Sequence, residues 1–313
     1  MKPVFYYMRN PPLPLIIKGL RDLRVRDYPV ETINTRPDGN GLYPLDVRAI
    51  RFSYHLDSEG IVVIEGPDGR GYHNPVSTGL YALGRHTNAY RTAVNNDVNY
   101  DGFLVHAHHL RLTQDSKGGW QYPVPVARYG VAPGWYSAMA QGLAISVMLR
   151  AYDLTGEQSY FDAAGLASNL LLSPVSEGGC SDYDKSGNPF LEEYPSDPPS
   201  HILNGAIFAL IGLSELEART GGDIHKAAVT RLSTQLTRFD LGYWSRYDLR
   251  YAAPASRSYH SLHVSLLQVA GNLFSDPFFN STAIRWKSYL SRPGCRLRAA
   301  AKKAWFVLGV ESA

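Results

Sequence analysis

The 313-residue sequence has few of the residues that mark several specialised classes of protein. Its 2 cysteines, Cys180 and Cys295, lack metal-ligand spacing, so two free thiols are favoured over a disulfide, and no zinc site is predicted. Acidic and basic residues nearly balance at a net charge of +3, which gives no reason to expect a nucleic-acid partner. These shortages are typical of an ordinary globular protein.

Long apolar runs are also missing. No stretch reaches the roughly 20 apolar residues that a transmembrane helix needs. Arg9, Asn10 and several prolines interrupt the apolar N-terminal residues, so they do not resemble a signal peptide. The sequence therefore predicts a cytoplasmic protein without a transmembrane segment.

Helical periodicity dominates the chain from residue 75 onwards. Eight predicted helices form four consecutive pairs, and the first helix of each pair is the more apolar one. Helices that are apolar all round belong inside, with their amphipathic partners outside. The sequence therefore predicts a mainly α fold, an α/α barrel (toroid) of four helical hairpins. The predicted helices are residues 75–92, 101–112, 133–154, 159–172, 200–219, 224–239, 258–274 and 277–290.

The N-terminal part of the chain has a different pattern. Residues 1–50 are rich in proline and are predicted to form an extended arm. Residues 50–64 alternate between apolar and polar side chains around a turn at 57–60, which predicts a β-hairpin. We therefore predict a small N-terminal region, residues 1–72, and a helical catalytic domain, residues 73–313.

Acidic and phenolic groups are concentrated in front of the third apolar helix. Glu192, Glu193 and Tyr194 form an extended segment that ends at Pro195 and leads into the helix predicted at 200–219. An apolar wall raises the pKa of a nearby carboxylic acid towards neutrality. The loops 118–128, 178–194 and 241–251 each precede an inner helix, so they should line one cleft at the same end of the barrel.

Four segments occur together in this order. They are Pro133 to Gly142, Glu192 to Pro195 with Leu203 to Gly205, Tyr247 to Arg250, and Tyr259 to His263. In this order and at these intervals they resemble the C-terminal domain of the D-glucuronyl C5-epimerases, which convert glucuronate to iduronate in heparosan and heparan-sulfate precursors. The resemblance covers residues 118–290. The animal enzymes carry β domains before the barrel, to which the predicted hairpin at residues 50–64 is the part that would correspond here.

The resemblance implies roles for individual residues. Glu193 and Tyr259 correspond to the acid/base residues that exchange the C5 proton, and Tyr247 is a further catalytic tyrosine. No cofactor or metal is implied, the partner is a uronate-containing polysaccharide, and a homodimer is expected. Arg250 is the candidate for holding the substrate carboxylate. The other predicted substrate-binding residues are Tyr136, Gln141, Tyr194, Asn204, His260 and His263.

Two alternative functions remain open at the level of sequence. A polysaccharide lyase would remove the same proton, and a non-catalytic glycan-binding toroid would keep the cleft without turnover. The cluster His106 to His109 has no carboxylate at ligand spacing and is not predicted to bind metal. The segment Arg292 to Trp305 is basic and amphipathic. A docked or frayed tail is the favoured interpretation, and contact with a membrane surface or a polysaccharide stays open.

Overall fold

A computed structural model describes residues 41–50, 53–66, 68–92 and 99–307. The chain divides into two compact units, whose described residues are those up to 234 and those from 235 to 307. The predicted boundary after residue 72 falls inside the first unit and stays a prediction. Residues 1–40 of the arm predicted at 1–50 lie outside the described residues.

The mainly helical class is confirmed, whereas the barrel arrangement stays a prediction. The helices of the first unit are α1 (Pro75–Thr92), α2 (Asp101–Thr113), α3 (Ala138–Thr155), α4 (Gln158–Leu172), α5 (Leu203–Thr220) and α6 (Ile224–Leu236), the last of which crosses into the second unit. The second unit continues with α7 (Arg257–Leu273), α8 (Pro277–Ser291) and α9 (Pro293–Val307). All eight predicted helices are present, and α9 is an addition to the prediction.

The predicted N-terminal hairpin is present as part of a three-stranded antiparallel sheet. Its strands are β1 (His55–Leu56), β2 (Val62–Glu65) and β3 (Gly71–Tyr72), in the order β1-β2-β3. The Asp57 carboxylate closes the first turn by accepting hydrogen bonds from the backbone N–H groups of Glu59 and Ile61. Ahead of the sheet, the end of the predicted arm is packed rather than loose, because Tyr43 and Leu45 are fully buried.

Helices α3 and α5 form the core of the first unit, and glycine allows them to approach closely. A Cβ atom on Gly142 would lie 2.7 Å from the Phe208 carbonyl oxygen, and one on Gly212 would lie 2.7 Å from the Gly142 Cα atom. Eight residues along α3 from Gly142, Arg150 makes a buried bidentate ion pair with Glu215 of α5 at 2.9 and 3.0 Å. Helices α3 and α5 are therefore joined by backbone contact and by charge.

The predicted starts of α3 and α5 were both too early. Ser137 is the N-cap of α3, and its side chain accepts a hydrogen bond from the Ala140 N–H. Trp135 instead pairs with Tyr122 as an antiparallel bridge. Before α5, strands β4 (Ser181–Tyr183) and β5 (Pro189–Leu191) form a hairpin that ends immediately before Glu192. Residues preceding both helices are therefore extended segments and can present side chains to a site.

The second unit is built on α7 and α8. Ser256 caps α7 through a hydrogen bond from the Tyr259 N–H, and Asp276 caps α8 through one from the Phe278 N–H. Trp286 of α8 is fully buried and lies near the rings of His260 and His263 on α7. Across the residues that the structure describes, no helix combines the length and the apolar character needed to cross a membrane.

Candidate active site

Glu192 and Glu193 extend the line of strand β5 and direct their side chains to different partners. The backbone of Glu192 is fixed on both sides: its N–H donates to the Cys180 carbonyl at 2.7 Å, and its carbonyl accepts from the Ala138 N–H at 3.0 Å. Successive side chains of an extended segment point to opposite sides. As a result, one carboxyl group faces the loop at 200–201 and the other faces helix α5.

The Glu193 side chain lies against the first turn of α5. Its carboxylate accepts a hydrogen bond of 3.1 Å from the Asn204 side-chain amide. A Cβ atom on Gly205 would overlap the Glu193 side chain, meeting its Cγ atom at 2.9 Å. Glycine at this position therefore makes room for the carboxyl group, and the Asn-Gly pair at the start of α5 forms one wall around it.

Burial changes the acidity of both carboxyl groups. Desolvation raises the pKa of Glu193 to about 7, against hydrogen bonds from Tyr194 and Asn204 that lower it. Desolvation likewise raises the pKa of Glu192 to about 8, against hydrogen bonds from Ser200 and His201. A carboxyl group with a pKa near 7 is present in both protonation states at neutral pH, which suits it to give and take protons.

Glu192 is bound into a network that sequence reasoning missed. Its carboxylate accepts hydrogen bonds from the Ser200 hydroxyl at 2.7 Å and the His201 N–H at 2.9 Å. The His201 ring contacts Asp182 at 3.1 Å, and Arg231 lies 3.3 Å from the same carboxylate. Ligand atoms of Asp182, Glu192 and His201 lie within 4.8 Å of one another. A cation placed there would compete with these donors and with the Arg231 charge, so the network fits the folding of this loop better than metal binding.

Tyr194 belongs to an aromatic cluster. Its ring stacks on that of Tyr129 and meets Trp135 edge-on, both with centroids 5.3 Å apart. Tyr122 stacks on Trp135 at 4.0 Å. Aromatic faces bind sugar rings well because they combine apolar area with little conformational freedom. Tyr194 thus has two direct aromatic neighbours, Tyr129 and Trp135. The sequence alone could not connect them with Tyr194, because they come from a separate loop.

The structure places Tyr136 and Gln141 in hydrogen bonds within the chain. The Tyr136 hydroxyl donates to Asp115 at 2.6 Å and accepts from Gln121 at 2.9 Å. Gln141 is fully buried, and its side-chain amide donates to the carbonyls of Gly118 and Ala167. Both residues therefore hold the loop that begins at Gly118 against α3 and α4, and their predicted contacts with sugar hydroxyls stay predictions.

The predicted tyrosines of the second unit are brought together. Tyr247 and Tyr259 form an edge-to-face pair with ring centroids 4.8 Å apart. Tyr259, in the first turn of α7, is 40% exposed, so its hydroxyl-bearing ring is accessible. The Arg250 guanidinium lies over the Tyr251 ring at 5.3 Å. Three of the predicted site residues are thus carried by the same loop and helix start.

The two histidines of this motif are structural neighbours of Ser245. The Ser245 N–H donates to His260 Nδ1 at 3.1 Å, and the Ser245 hydroxyl lies 2.9 Å from His263 Nδ1. The other nitrogen of His260 contacts the Trp286 carbonyl at 3.1 Å. Burial lowers the pKa of His260 to about 4 and lowers that of His263 well below its ordinary value. His260 is therefore neutral, because its buried ring accepts a hydrogen bond at Nδ1 from the Ser245 N–H.

A family model and an individual relative point to the same family of proteins. The family model described as the D-glucuronyl C5-epimerase C-terminus matches residues 114–288, more than half of the chain. The chain belongs to the D-glucuronyl C5-epimerase C-terminal family. A D-glucuronyl C5-epimerase of Caenorhabditis elegans is 32% identical over 213 residues, which are 60% of this chain and 34% of that protein. An uncharacterised protein of Methanocaldococcus jannaschii is 27% identical over 175 residues, which are 54% of this chain and 56% of that protein.

The D-glucuronyl C5-epimerase family match includes every predicted site residue. It begins at the loop in front of α3 and ends inside α8, so the sheet β1–β3 and helices α1 and α2 precede it, and α9 follows it. The chain spans about a third and about half of the lengths of these two relatives. Membership in the family supports a uronate epimerase, and the specific substrate belongs to the proposal below.

Proposed function

We propose that the protein is a polysaccharide uronate C5-epimerase that converts D-glucuronate to L-iduronate residues in a heparosan-like polymer. The observation that carries the proposal is the Glu193 carboxyl group, buried beside Asn204 with a pKa raised to about 7. Family membership supports the reaction class. A uronate polysaccharide is the proposed partner, the chemistry needs no cofactor, and the homodimer expected from the resemblance stays a prediction.

The reaction removes the proton at C5, next to the uronate carboxylate, and returns one from the opposite side of the sugar ring. This proton is weakly acidic, so the site must stabilise the negative charge that develops on the carboxylate. Glu193 in its ionised form accepts the C5 proton, and in its protonated form it donates one. Its raised pKa gives both forms comparable populations at neutral pH, which favours a reversible step.

The second acid/base group in the proposal is a tyrosine. Tyr259 is the preferred candidate because its ring is exposed, and Tyr247 packs against that ring. Arg250 is proposed to bind the uronate carboxylate through its planar guanidinium group, which suits a carboxylate better than an ammonium does. Tyr194, half-buried against the buried rings of Tyr129 and Trp135, is proposed to bind a neighbouring sugar ring.

The test is proton exchange in heavy water. The purified protein is incubated with heparosan and with N-sulfoheparosan, and NMR follows loss of the C5 proton signal and the appearance of iduronate. We expect both for the wild type, and a loss of at least about 100-fold for Glu193→Gln, which removes acid/base catalysis while keeping the size of the side chain. Glu177→Gln, at an exposed glutamate, is the matched control and should retain full activity.

Three outcomes would redirect the proposal. A product with a 4,5-double bond and the accompanying ultraviolet absorbance would identify a lyase. Binding of the polymer with intact C5 protons would identify a glycan-binding protein. Full activity of Glu193→Gln alongside Glu177→Gln would contradict the role of Glu193 while leaving the reaction class in place.

A further inference from the structure

Helix α9 (Pro293–Val307) lies beyond the family-matched residues, and one side of it is docked in the second unit. Ala299 is buried. The Lys303 ammonium donates to the Pro254 carbonyl at 2.9 Å, and the Arg298 guanidinium lies over the Tyr243 ring at 4.1 Å. These three contacts hold the helix in a defined orientation, so the segment expected to be a docked or frayed tail is docked.

The other side of α9 presents large apolar side chains to solvent. Leu297 is 74% exposed and Trp305 is 56% exposed. Pro293 and Ala301, both exposed, complete a row in which each residue follows the last by four positions. Residues four apart lie on the same face of a helix. This apolar row, residues 293, 297, 301 and 305, runs the length of the helix.

Cations flank the apolar row on both sides. At about 100° per residue, Arg298 and Lys302 fall on one flank of Leu297, and Arg296 and Lys303 fall on the other. From residue 277 to residue 310 the sequence contains 7 Lys or Arg and no Asp or Glu. The surface that meets α9 must therefore be anionic, and it must also accept leucine and tryptophan.

We propose that the apolar row of α9 docks on an anionic lipid surface, with the helix axis parallel to the membrane. Leucine and tryptophan would enter the boundary between headgroups and acyl chains, and Arg296 and Lys302, one on each flank, would contact lipid phosphates. Arg298 and Lys303 meanwhile hold the helix on the second unit. An acidic polysaccharide would pair with the cations but would bury little of the Leu297 side chain. A membrane can do both, because its charged headgroup layer lies directly above its apolar layer. The symmetrical placement of cations on two flanks suits a plane better than a one-sided groove.

The test uses vesicles of defined composition and does not depend on enzyme activity. The full chain is sedimented with vesicles of phosphatidylcholine alone or mixed with phosphatidylglycerol, at low and high salt. We expect at least tenfold tighter binding to the anionic vesicles, a loss of that preference at high salt, and a blue shift of tryptophan fluorescence. Trp305→Phe should abolish the shift while largely retaining binding.

The decisive comparison is between two double variants. Leu297→Ser with Trp305→Ser should weaken vesicle binding at least tenfold. Leu112→Ser with Leu166→Ser is the control, since both leucines are exposed, at 64% and 47%, on α2 and α4; it should bind like the wild type. Circular dichroism checks that both variants fold.

The proposal is overturned by any of four results: no vesicle binding, equal loss in both double variants, equal binding to neutral and anionic vesicles, or self-association through α9. Binding to soluble heparosan that depends on the cations but not on Leu297 or Trp305, without vesicle binding, would identify a polysaccharide surface instead.

Discussion

The Asn204 side-chain amide donates a 3.1 Å hydrogen bond to the carboxylate of Glu193, the residue whose pKa burial raises to about 7. Two opposing influences thus meet at one carboxyl group. Desolvation favours the protonated form, and the amide donor favours the ionised form. A substitution at Asn204 can therefore change the pKa of Glu193 while Glu193 itself is kept.

Replacement of Asn204 by Leu should raise the pKa of Glu193 further. The lost hydrogen bond contributes about 1 kcal/mol, which corresponds to an increase in pKa of about 0.7. Infrared difference titration of the carboxyl stretch measures this pKa directly, and Glu193→Gln identifies the band by removing it. In the exchange assay the acid limb of the pH profile should move in the same direction. An unchanged or lower pKa would show that Asn204 does not stabilise the ionised form.

Stability should fall as pH rises through the weakly acid range, and Glu193 should contribute to that fall. Its pKa is about 7 in the folded protein and about 4.5 when unfolded, so between these values the unfolded chain releases a proton that the folded chain retains. The contribution is fully present below about pH 4.5 and is lost by about pH 7. Its upper bound is on the order of 3 kcal/mol.

Urea denaturation between pH 4.5 and 8 tests this linkage. Glu193→Gln should show a smaller decline in the free energy of unfolding than the wild type. Asp223→Asn, whose carboxyl group is 75% exposed, is the control and should follow the wild type. A steeper decline in Glu193→Gln would mean that the folded protein holds Glu193 ionised. Glu192, with a pKa raised to about 8, should contribute a similar decline that persists in this variant.

A pair of glycine substitutions should separate close helix packing from helix propensity. Gly142→Ala places a methyl group 2.7 Å from the Phe208 carbonyl oxygen, which is backbone and cannot move aside easily. We expect a loss of stability of about 1–3 kcal/mol. Gly165 lies inside α4 with no atom near its would-be Cβ, so Gly165→Ala should gain about 0.5–1 kcal/mol. Thermal or urea denaturation measures both; equal effects would show that α3 and α5 can separate slightly without cost.

The sequence predicted the helices well because their signals are local. Apolar periodicity and capping residues such as Ser256 act within one or two turns, so all eight predicted helices were located. Helix α9 was missed because its exposed apolar row and alanine-rich, basic composition do not produce the pattern of a core helix. The start of α3 was misplaced because Trp135 is held in an extended segment by its bridge to Tyr122, earlier in the same loop. The start of α5 was misplaced because Ser200 and His201, ahead of the helix, are bonded to the Glu192 carboxylate.

Only the part of the candidate site that has a local sequence signal could be predicted. Glu193 could be found because it precedes an apolar helix directly in the sequence. The contact of Glu192 with His201, and that of His201 with Asp182, depends on the β4–β5 hairpin, which brings distant residues together. The neutrality of His260 depends on its burial and on the hydrogen bond that its Nδ1 atom accepts from the Ser245 N–H. Such information resides in tertiary packing and has no local sequence signal.

The two attachments between α3 and α5 fix the register of Asn204. Gly142 and Arg150 are eight residues apart on α3, a distance of about 12 Å along the helix axis. Contact at two separated points prevents both sliding and rotation of one helix on the other. Ala138, at the start of α3, is bonded to the Glu192 carbonyl, and Asn204 lies at the start of α5. The position of the Asn204 amide relative to the Glu193 carboxylate therefore depends on the ion pair towards the opposite ends of both helices. Substitution of Arg150 or Glu215 would change the pKa of Glu193 although neither residue contacts it.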